Sequence, residues 1–296
     1  MKFGLICEGI TDHRVIENLL CGFFPEYPDL DEDINFLQPT LDETDSQQQG
    51  FGGWELVIAY LKSSQFEQAV INHDYIVIQI DTDCCEHPNF GVHPISLAAQ
   101  DQADFYEKIR NKLIEFICHN TIYAHYADKI LFCICIHSLE CWLIALYESR
   151  RSKSPKINNC EDAFGKLLMR QNYREKFEKT SRCYDKISQL LLKAKTINGL
   201  AGSSYSLDRF LEQLAYVAQQ PCPDPPTGLI DAEAARLRKE LDKLEKEVGR
   251  LAGKLENPAF VDKAPADVVA KEQEKLAAVK TEIATLQEQL VKVEAL

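Results

Sequence analysis

The sequence predicts an α/β protein: a mostly parallel sheet flanked by helices over residues 1–149, a basic helical extension over 150–220, and a helical hairpin over 229–296. Three observations lead to this division. Short apolar runs alternate with amphipathic segments in the first part, which is typical of a parallel sheet with crossover helices. Cationic side chains are concentrated in the second part, and a heptad of apolar residues runs through the third.

The first strand is predicted at residues 2–7, because an apolar run stops there and is followed by Glu8. Thr11 or Asp12 can then cap a helix, since both side chains accept hydrogen bonds from the free amides of a first turn. Residues 25–53 are rich in Pro, Asp, Gln and Gly. We expect a long loop or lid in that segment.

Two further strands are predicted at residues 75–80 and 129–136, with a helix over 100–118 between them. The earlier strand is apolar on both faces, as expected for a central strand of a parallel sheet. The earlier one ends in an Asp-x-Asp sequence, and the later one ends in His-Ser-Leu-Glu and runs into a helix. The carboxyl ends of such strands are where ligands bind in open α/β sheets.

A proline-rich linker separates the extension from the hairpin. Residues 221–228 contain four prolines and a glycine, which predicts a stiff connection. Over residues 229–296 the apolar heptad is interrupted once, by Asn-Pro and Ala-Pro sequences. Two helices that fold back into an antiparallel coiled coil are therefore expected.

The net charge of the whole chain is −13 at pH 7, which by itself argues against nucleic-acid binding. The charged residues are, however, unevenly distributed along the sequence. Residues 1–149 carry 7 basic and 24 acidic side chains, whereas residues 150–195 carry 13 basic and 5 acidic side chains. One segment is therefore basic enough to contact phosphates.

The eleven cysteines are scattered through apolar stretches, and we expect reduced thiols rather than disulfides or a zinc module. No apolar run is long enough to cross a bilayer, and no charged segment followed by an apolar one stands at the start. We expect a cytoplasmic protein without membrane association.

Three carboxylates follow predicted strands directly: Glu8, Asp81 and Asp83. Adjacent parallel strands would bring them to one edge of the sheet. Hard oxygen ligands at this density suit Mg²⁺ or Mn²⁺, which can position a phosphodiester and activate a water molecule. Acids at strand ends are also ordinary turn and cap residues, and that interpretation stays open for any single Asp-x-Asp pair.

Glu-Gly after the first strand, a helix, and Asp-x-Asp after a later core strand together resemble the signature of Toprim proteins. This family includes topoisomerases, bacterial primases and nucleases of the overcoming-lysogenisation-defect type. The resemblance covers the first half of the chain. It implies that Glu8 is the general acid/base at the scissile phosphate, and that Asp81 and Asp83 hold the metal beside it.

The segment His-Ser-Leu-Glu-Cys-Trp is similar to a region of defence-associated Toprim proteins in which a later acidic residue completes the site. This resemblance gives Glu140 a catalytic role, with helix capping or pairing to a basic neighbour as the alternative. We find neither a tyrosine assignable as a topoisomerase nucleophile nor a primase zinc module. Hydrolysis is therefore favoured over strand passage or priming.

The basic extension interleaves cations with aromatic residues, a pattern that suits contact with a phosphate backbone and stacking on bases. The alternative is a solvated helix face, or pairing with the acidic first part of the chain. The candidate nucleic-acid contacts in this segment are Arg150, Arg151, Lys153, Lys156, Arg170 and Arg174.

Residues 229–296 are similar to the C-terminal coiled-coil arm of bacterial valyl-tRNA synthetase, and the inter-helix sequence Asn-Pro-x-Phe-Val-x-Lys-Ala-Pro is the distinctive part. The resemblance implies that tRNA is a substrate, ligand or trigger. Candidate contacts are Arg236, Arg238 and Lys239, although cations at such positions commonly form pairs along a helix. The alternative is a hairpin that serves as an oligomerisation or spacing device.

Together these features predict a Mg²⁺-dependent Toprim nuclease that cuts nucleic acid, plausibly tRNA, as the toxic effector of a bacterial antiphage system. The resemblance also implies an ATPase sensor as partner, because the chain has no phosphate-binding loop motif of its own. A homo-oligomer is a further expectation. The alternatives are a non-catalytic module that binds tRNA or a phage protein on a Toprim scaffold, and a housekeeping ribonuclease that processes RNA.

Overall fold

The structure is a computed structural model that separates into two compact units, Met1–Cys222 and Pro223–Leu296. Each unit is treated by itself below. The residues that the structure describes are 1–40, 53–92, 95–117, 122–148, 157–171, 173, 176–220, 227–256 and 266–294.

The first unit is built on a four-stranded sheet in which every neighbouring pair is parallel. The strands are β1 (Phe3–Ile6), β2 (Ile34–Gln38), β3 (Tyr75–Asp81) and β4 (Ile130–Cys135), in the order β2-β1-β3-β4. The predicted α/β class with a parallel sheet is confirmed. Because all four strands run the same way, their carboxyl ends meet at one edge.

Strand β2 corrects one expectation. The long loop predicted over residues 25–53 contains a short 3-10 turn, Leu30–Asp33, and then β2, which pairs with β1. In this edge strand Ile34 is buried and the other four residues are half-exposed, whereas the other edge strand, β4, is buried throughout. The acidic turn before it and the half-exposed edge obscured its apolar pattern. Residues 41–52 of that predicted loop lie outside the described residues.

Helices cover both faces of the sheet. In the first unit they are α1 (Ile10–Phe23), α2 (Trp54–Leu61), α3 (Ser64–Asn72), α4 (Gln102–Ile117), α5 (Ile122–Tyr126), α6 (Glu140–Tyr147), α7 (Cys160–Arg170), α8 (Ser181–Ser188), α9 (Ala194–Leu200) and α10 (Tyr205–Gln219).

The alternation of side chains along β3 divides the apolar interior into two clusters. Tyr75 and Val77 point to one face of the sheet, and Ile76 and Ile78 to the other. Helices α7 to α10 contribute to the first cluster, for example through the fully buried Phe164. The described part of the basic extension therefore shares a hydrophobic core with α1 and the sheet.

Gly22 on α1 marks the tightest contact between the sheet region and the extension. A Cβ at this position would lie 1.8 Å from the carbonyl oxygen of Leu191. We expect Gly22→Ala to lower the free energy of unfolding by about 3 kcal/mol or more, because the obstacle is rigid backbone. Urea unfolding measures this loss. Gly199→Ala is the matched control: apart from its chain neighbours and the backbone of its own helix, no atom lies within 4 Å of an added Cβ, and the substitution should leave the free energy of unfolding unchanged or slightly higher.

The cysteines depart from the sequence expectation at one pair. Cys141 and Cys160 are joined in a disulfide, so the expectation of reduced thiols is wrong there. The two residues are 19 positions apart and lie in the first turns of α6 and α7, a proximity that cysteine spacing alone does not reveal. The free cysteines among the described residues are Cys7, Cys21, Cys84, Cys85, Cys133, Cys135 and Cys183.

The second unit consists of two long helices, α11 (Thr227–Glu256) and α12 (Ala266–Glu294), which contact each other. Leu237 and Leu251 of the predicted heptad are buried, and Lys254 Nζ lies 3.3 Å from Glu272 Oε1 across the two helices. Within the described residues no helix is both long and apolar enough to span a lipid bilayer.

Candidate functional site

Glu8 and Asp81 are brought into direct contact at the carboxyl edge of the sheet. Glu8 follows β1 by two residues, and Asp81 is the last residue of the neighbouring strand β3. The Asp81 amide donates to Glu8 Oε1 at 2.7 Å. Gln79 fixes the pair from inside the sheet, because its Oε1 accepts from the Glu8 amide at 3.0 Å and its Nε2 donates to Asp81 Oδ1 at 2.9 Å.

Asp83 lies in a short turn that the end of β4 holds in place. The amides of Thr82 and Asp83 donate to the His137 carbonyl oxygen at 2.9 and 3.1 Å, and the His137 amide donates to Thr82 Oγ1 at 2.8 Å. The Leu139 amide donates to Asp81 Oδ1 at 3.2 Å. These bonds fasten the turn after β3 to the turn after β4, and Asp83 remains exposed.

Glu140 enters the same site from the start of α6, where it is 3 % exposed. The Tyr184 hydroxyl on α8 donates to Glu140 Oε1 at 2.5 Å, and both side chains are buried. The α8 N-cap is Thr180, whose Oγ1 accepts from the Cys183 amide at 3.3 Å and so fixes the turn that carries Tyr184. The extension thus supplies a polar partner to the site.

Asp12 is a further member of the site that the sequence analysis assigned to a different role. Gly9, in an extended conformation, is the N-cap of α1, so the prediction that Thr11 or Asp12 caps this helix is wrong. Asp12 lies in the first turn with its side chain buried, four residues after Glu8. A carboxylate one helical turn beyond Glu8 was the sequence signal that would have found it.

The pKa values show how closely these carboxyl groups are packed. Loss of hydration raises the pKa of Glu8 to about 8, and the nearby charges of Asp12 and Asp83 add to this increase. A hydrogen bond from the Asp81 backbone acts in the opposite direction and lowers the pKa. Loss of hydration and then Glu140 raise the pKa of Asp12 to about 7. Burial also raises the pKa of Asp81, with Asp12, Glu8 and Glu140 adding to the effect. We call these five acids (Glu8, Asp12, Asp81, Asp83 and Glu140) the carboxylate cluster.

A positive charge from the extension faces the carboxylate cluster. Lys179 precedes α8 and forms an ion pair with Glu161, with Nζ 3.3 Å from Oε2. Its charge lowers the pKa of Glu8 and of Asp12. One lysine offsets little of the charge of five carboxylates. Carboxylate oxygens are the ligands that Mg²⁺ and Mn²⁺ prefer, but among the described residues no three of these acids bring ligand oxygens within 4.8 Å of one another.

Most of the predicted nucleic-acid contacts of the basic extension lie outside the described residues, and the others are on helix surfaces. Arg150, Arg151, Lys153, Lys156 and Arg174 lie outside the described residues. Arg170 is exposed on the last turn of α7. In the second unit Arg236 is part of α11 with no side chain described, whereas Arg238 and Lys239 are exposed on the same helix.

Comparison with known proteins bears on this second unit. Residues 230–294 match the valyl-tRNA synthetase tRNA-binding arm. The valine–tRNA ligase of Geobacter sulfurreducens is 48 % identical over 84 residues, which is 26 % of this chain and 10 % of that enzyme. The ligase of Francisella tularensis is 62 % identical over 55 residues, 18 % of this chain and 6 % of the ligase.

This chain thus spans a tenth or less of the length of those two ligases, and the similarity concerns their arm. No solved structure matches the chain. The similarity to a tRNA-binding arm is confined to residues 230–294 of this chain. The resemblance of the first unit to Toprim proteins stays a prediction.

Proposed function

We propose that this protein binds tRNA through residues 229–296, with α11 and α12 folded as an antiparallel coiled coil. The match of residues 230–294 to the tRNA-binding arm is the observation that carries the proposal. The exposed side chains of Arg238 and Lys239 can neutralise backbone phosphates. Binding by the arm requires no chemistry in the first unit.

Exchanging two cations of the arm for acids tests this proposal. Arg238→Glu with Lys239→Glu, in the full chain, should weaken tRNA binding about tenfold or more and reduce the salt dependence of binding by about two phosphate contacts. Fluorescence anisotropy with labelled tRNA over a salt series measures both. The matched control, Lys108→Glu with Lys112→Glu on α4 of the first unit, makes the same charge change and should bind like the wild type. If the wild type and both variants bind tRNA with equal affinity, the proposal that the arm binds tRNA is contradicted.

A second function, metal-dependent hydrolysis of a phosphodiester, is favoured by the carboxylate cluster. In this proposal the first unit is a Toprim-like domain, in which Asp81 and Asp83, with Glu8, hold Mg²⁺ or Mn²⁺. The bound cation supplies charge stabilisation at the phosphate and a water molecule of lowered pKa. Glu8 moves a proton at the scissile phosphate, the role that the resemblance to Toprim proteins implies for it.

Incubation of the protein with total tRNA and with plasmid DNA, in Mg²⁺ or Mn²⁺, distinguishes a nuclease from a module that only binds tRNA. Fragments of tRNA that disappear in a Glu8→Ala variant would support the nuclease. Uncut tRNA that remains bound would support the non-catalytic binding module instead. A single defined cleavage without toxicity in cells would favour a housekeeping ribonuclease, whereas toxicity would favour the predicted antiphage effector. The ATPase partner and the homo-oligomer stay predictions from the sequence.

A further inference from the structure

A second group of metal-ligating side chains lies beside the carboxylate cluster and has different chemistry. A ring nitrogen of His137 and the sulfurs of Cys141 and Cys160 all lie within 4.8 Å of one another. Both cysteines are buried, and His137 is half-buried. In the structure the two sulfurs form a disulfide, which links the first turn of α6 to the first turn of α7.

The backbone around this group is held in an unusual conformation. His137 and Asn159 have φ angles of 68° and 48°, and among the described residues they are the two that are not glycine and have a positive φ. The two residues touch, because the Asn159 amide donates to His137 Nε2 at 3.1 Å. Left-handed backbone at residues other than glycine is uncommon and is concentrated at functional sites and ligand clamps.

The strained positions orient the donor atoms. The bonds from the amides of Thr82 and Asp83 hold the His137 carbonyl from one side, and the bond from Asn159 holds its ring from the other. Asn159 also directly precedes Cys160, so the same contact positions that sulfur. One imidazole nitrogen and two sulfurs are a donor set of zinc sites. In the disulfide form the Asn159 amide donates to Nε2, so this hydrogen bond must open before either ring nitrogen of the neutral imidazole binds the ion.

We propose that His137, Cys141 and Cys160 bind Zn²⁺ in the reduced protein, and that the disulfide is the oxidised, metal-free form of the same site. Imidazole and thiolate ligands select Zn²⁺, whereas the oxygen atoms of the carboxylate cluster suit Mg²⁺ or Mn²⁺. Three protein ligands leave the fourth position of a tetrahedral zinc site to water. The proposal goes beyond the proposed function and does not depend on it.

An external dithiol can convert the disulfide form of the site into the reduced form. Two electrons and two protons pass from that dithiol to the Cys141–Cys160 disulfide, which opens to two thiols while the dithiol itself becomes a disulfide. Binding of Zn²⁺ then displaces the two thiol protons. Oxidation by an external disulfide reverses the sequence and releases the ion. Because Cys141 directly follows Glu140, the exchange takes place at the edge of the carboxylate cluster.

Cobalt is the probe that distinguishes this site from the carboxylate cluster, since thiolate–Co²⁺ bonds give a charge-transfer band in the near ultraviolet and carboxylate–Co²⁺ bonds do not. The full chain, reduced with a phosphine, should bind one Co²⁺ with this band and lose the band on addition of one equivalent of Zn²⁺. The same protein after oxidation with diamide should show no band. This comparison needs no substitution, so a folding defect cannot imitate its result.

Variants then assign the ligands. Cys141→Ser and Cys160→Ser should each abolish the band, and His137→Ala should weaken Zn²⁺ binding at least about tenfold. Cys183→Ser, which changes a buried free cysteine on α8, is the matched control and should bind like the wild type. Asp81→Asn should keep the band even if it abolishes cleavage. A reduced wild-type protein without the band, or a Cys160→Ser variant that retains it, would overturn the proposal.

Discussion

Replacing Glu8 by glutamine should lower the rate of Mg²⁺-dependent tRNA cleavage about 10²- to 10⁴-fold, the range expected when a general acid/base is lost. The amide retains an oxygen that can accept from the Asp81 backbone, but it cannot take or give a proton as the carboxyl group does. Single-turnover cleavage resolved on a denaturing gel measures the rate. Unfolding in urea should show that the folded state is preserved.

Glu107→Gln is the matched control for this substitution. Glu107 lies on α4, with a half-exposed side chain that pairs with Arg110, and its replacement should leave cleavage unchanged. If the Glu8→Gln variant cleaves at the wild-type rate, Glu8 has no role in proton transfer. If the wild-type protein binds tRNA and cleaves neither tRNA nor DNA, hydrolysis itself is refuted and the binding module remains.

The second large effect concerns stability, pH and metal. The pKa of Glu8 is raised from 4.5 to about 8 and that of Asp12 from 3.8 to about 7, mainly by loss of hydration. Between the unfolded and folded pKa values the folded protein holds more protons than the unfolded chain. The free energy of unfolding without metal should therefore fall as the pH rises through this interval, by an amount on the order of a few kcal/mol.

Urea unfolding in EDTA at about pH 5 and about pH 8.5 measures this decrease. Added Mg²⁺ should restore stability at the higher pH, where the carboxylates are ionised and free to bind it, and should have little effect at the lower pH. The double variant Glu8→Gln with Asp12→Asn should reduce the pH dependence and weaken the response to Mg²⁺, and Asp81, whose pKa burial also raises, should retain part of both. An unchanged pH dependence in that variant would mean that other groups cause it.

The sequence predicts the three buried strands and fails at the half-exposed one, for a physical reason. Strands β1, β3 and β4 are continuous apolar runs because both of their faces are covered, and such runs are visible without tertiary information. Strands β2 and β4 are both edges of the sheet, but β4 is buried throughout whereas four of the five β2 residues are half-exposed, so the residues of β2 satisfy weaker constraints. Its pairing with β1 is set by the fold and has no strong local signal.

The same distinction applies to the site. Glu8, Asp81, Asp83 and Glu140 are predictable as candidates because each follows a recognisable strand, and the structure places Glu8 in direct contact with Asp81. Their partners are not predictable in this way: Tyr184 reaches Glu140 across 44 residues of chain, through the packing of α8 in the shared core. A hydrogen bond of this kind depends on tertiary structure, which sequence spacing does not encode.

The contact between Glu140 and Tyr184 also has a consequence for how this protein can be dissected or recombined. Glu140 belongs to the predicted sheet region, residues 1–149, and Tyr184 belongs to the helical extension, residues 150–220. A fragment ending near residue 150 would leave a buried acid without its hydroxyl partner, and grafting the sheet segment onto another helical partner would do the same. The second unit has its own internal contacts, so a dissection of this protein should divide the chain near residue 222 and keep residues 1–222 whole.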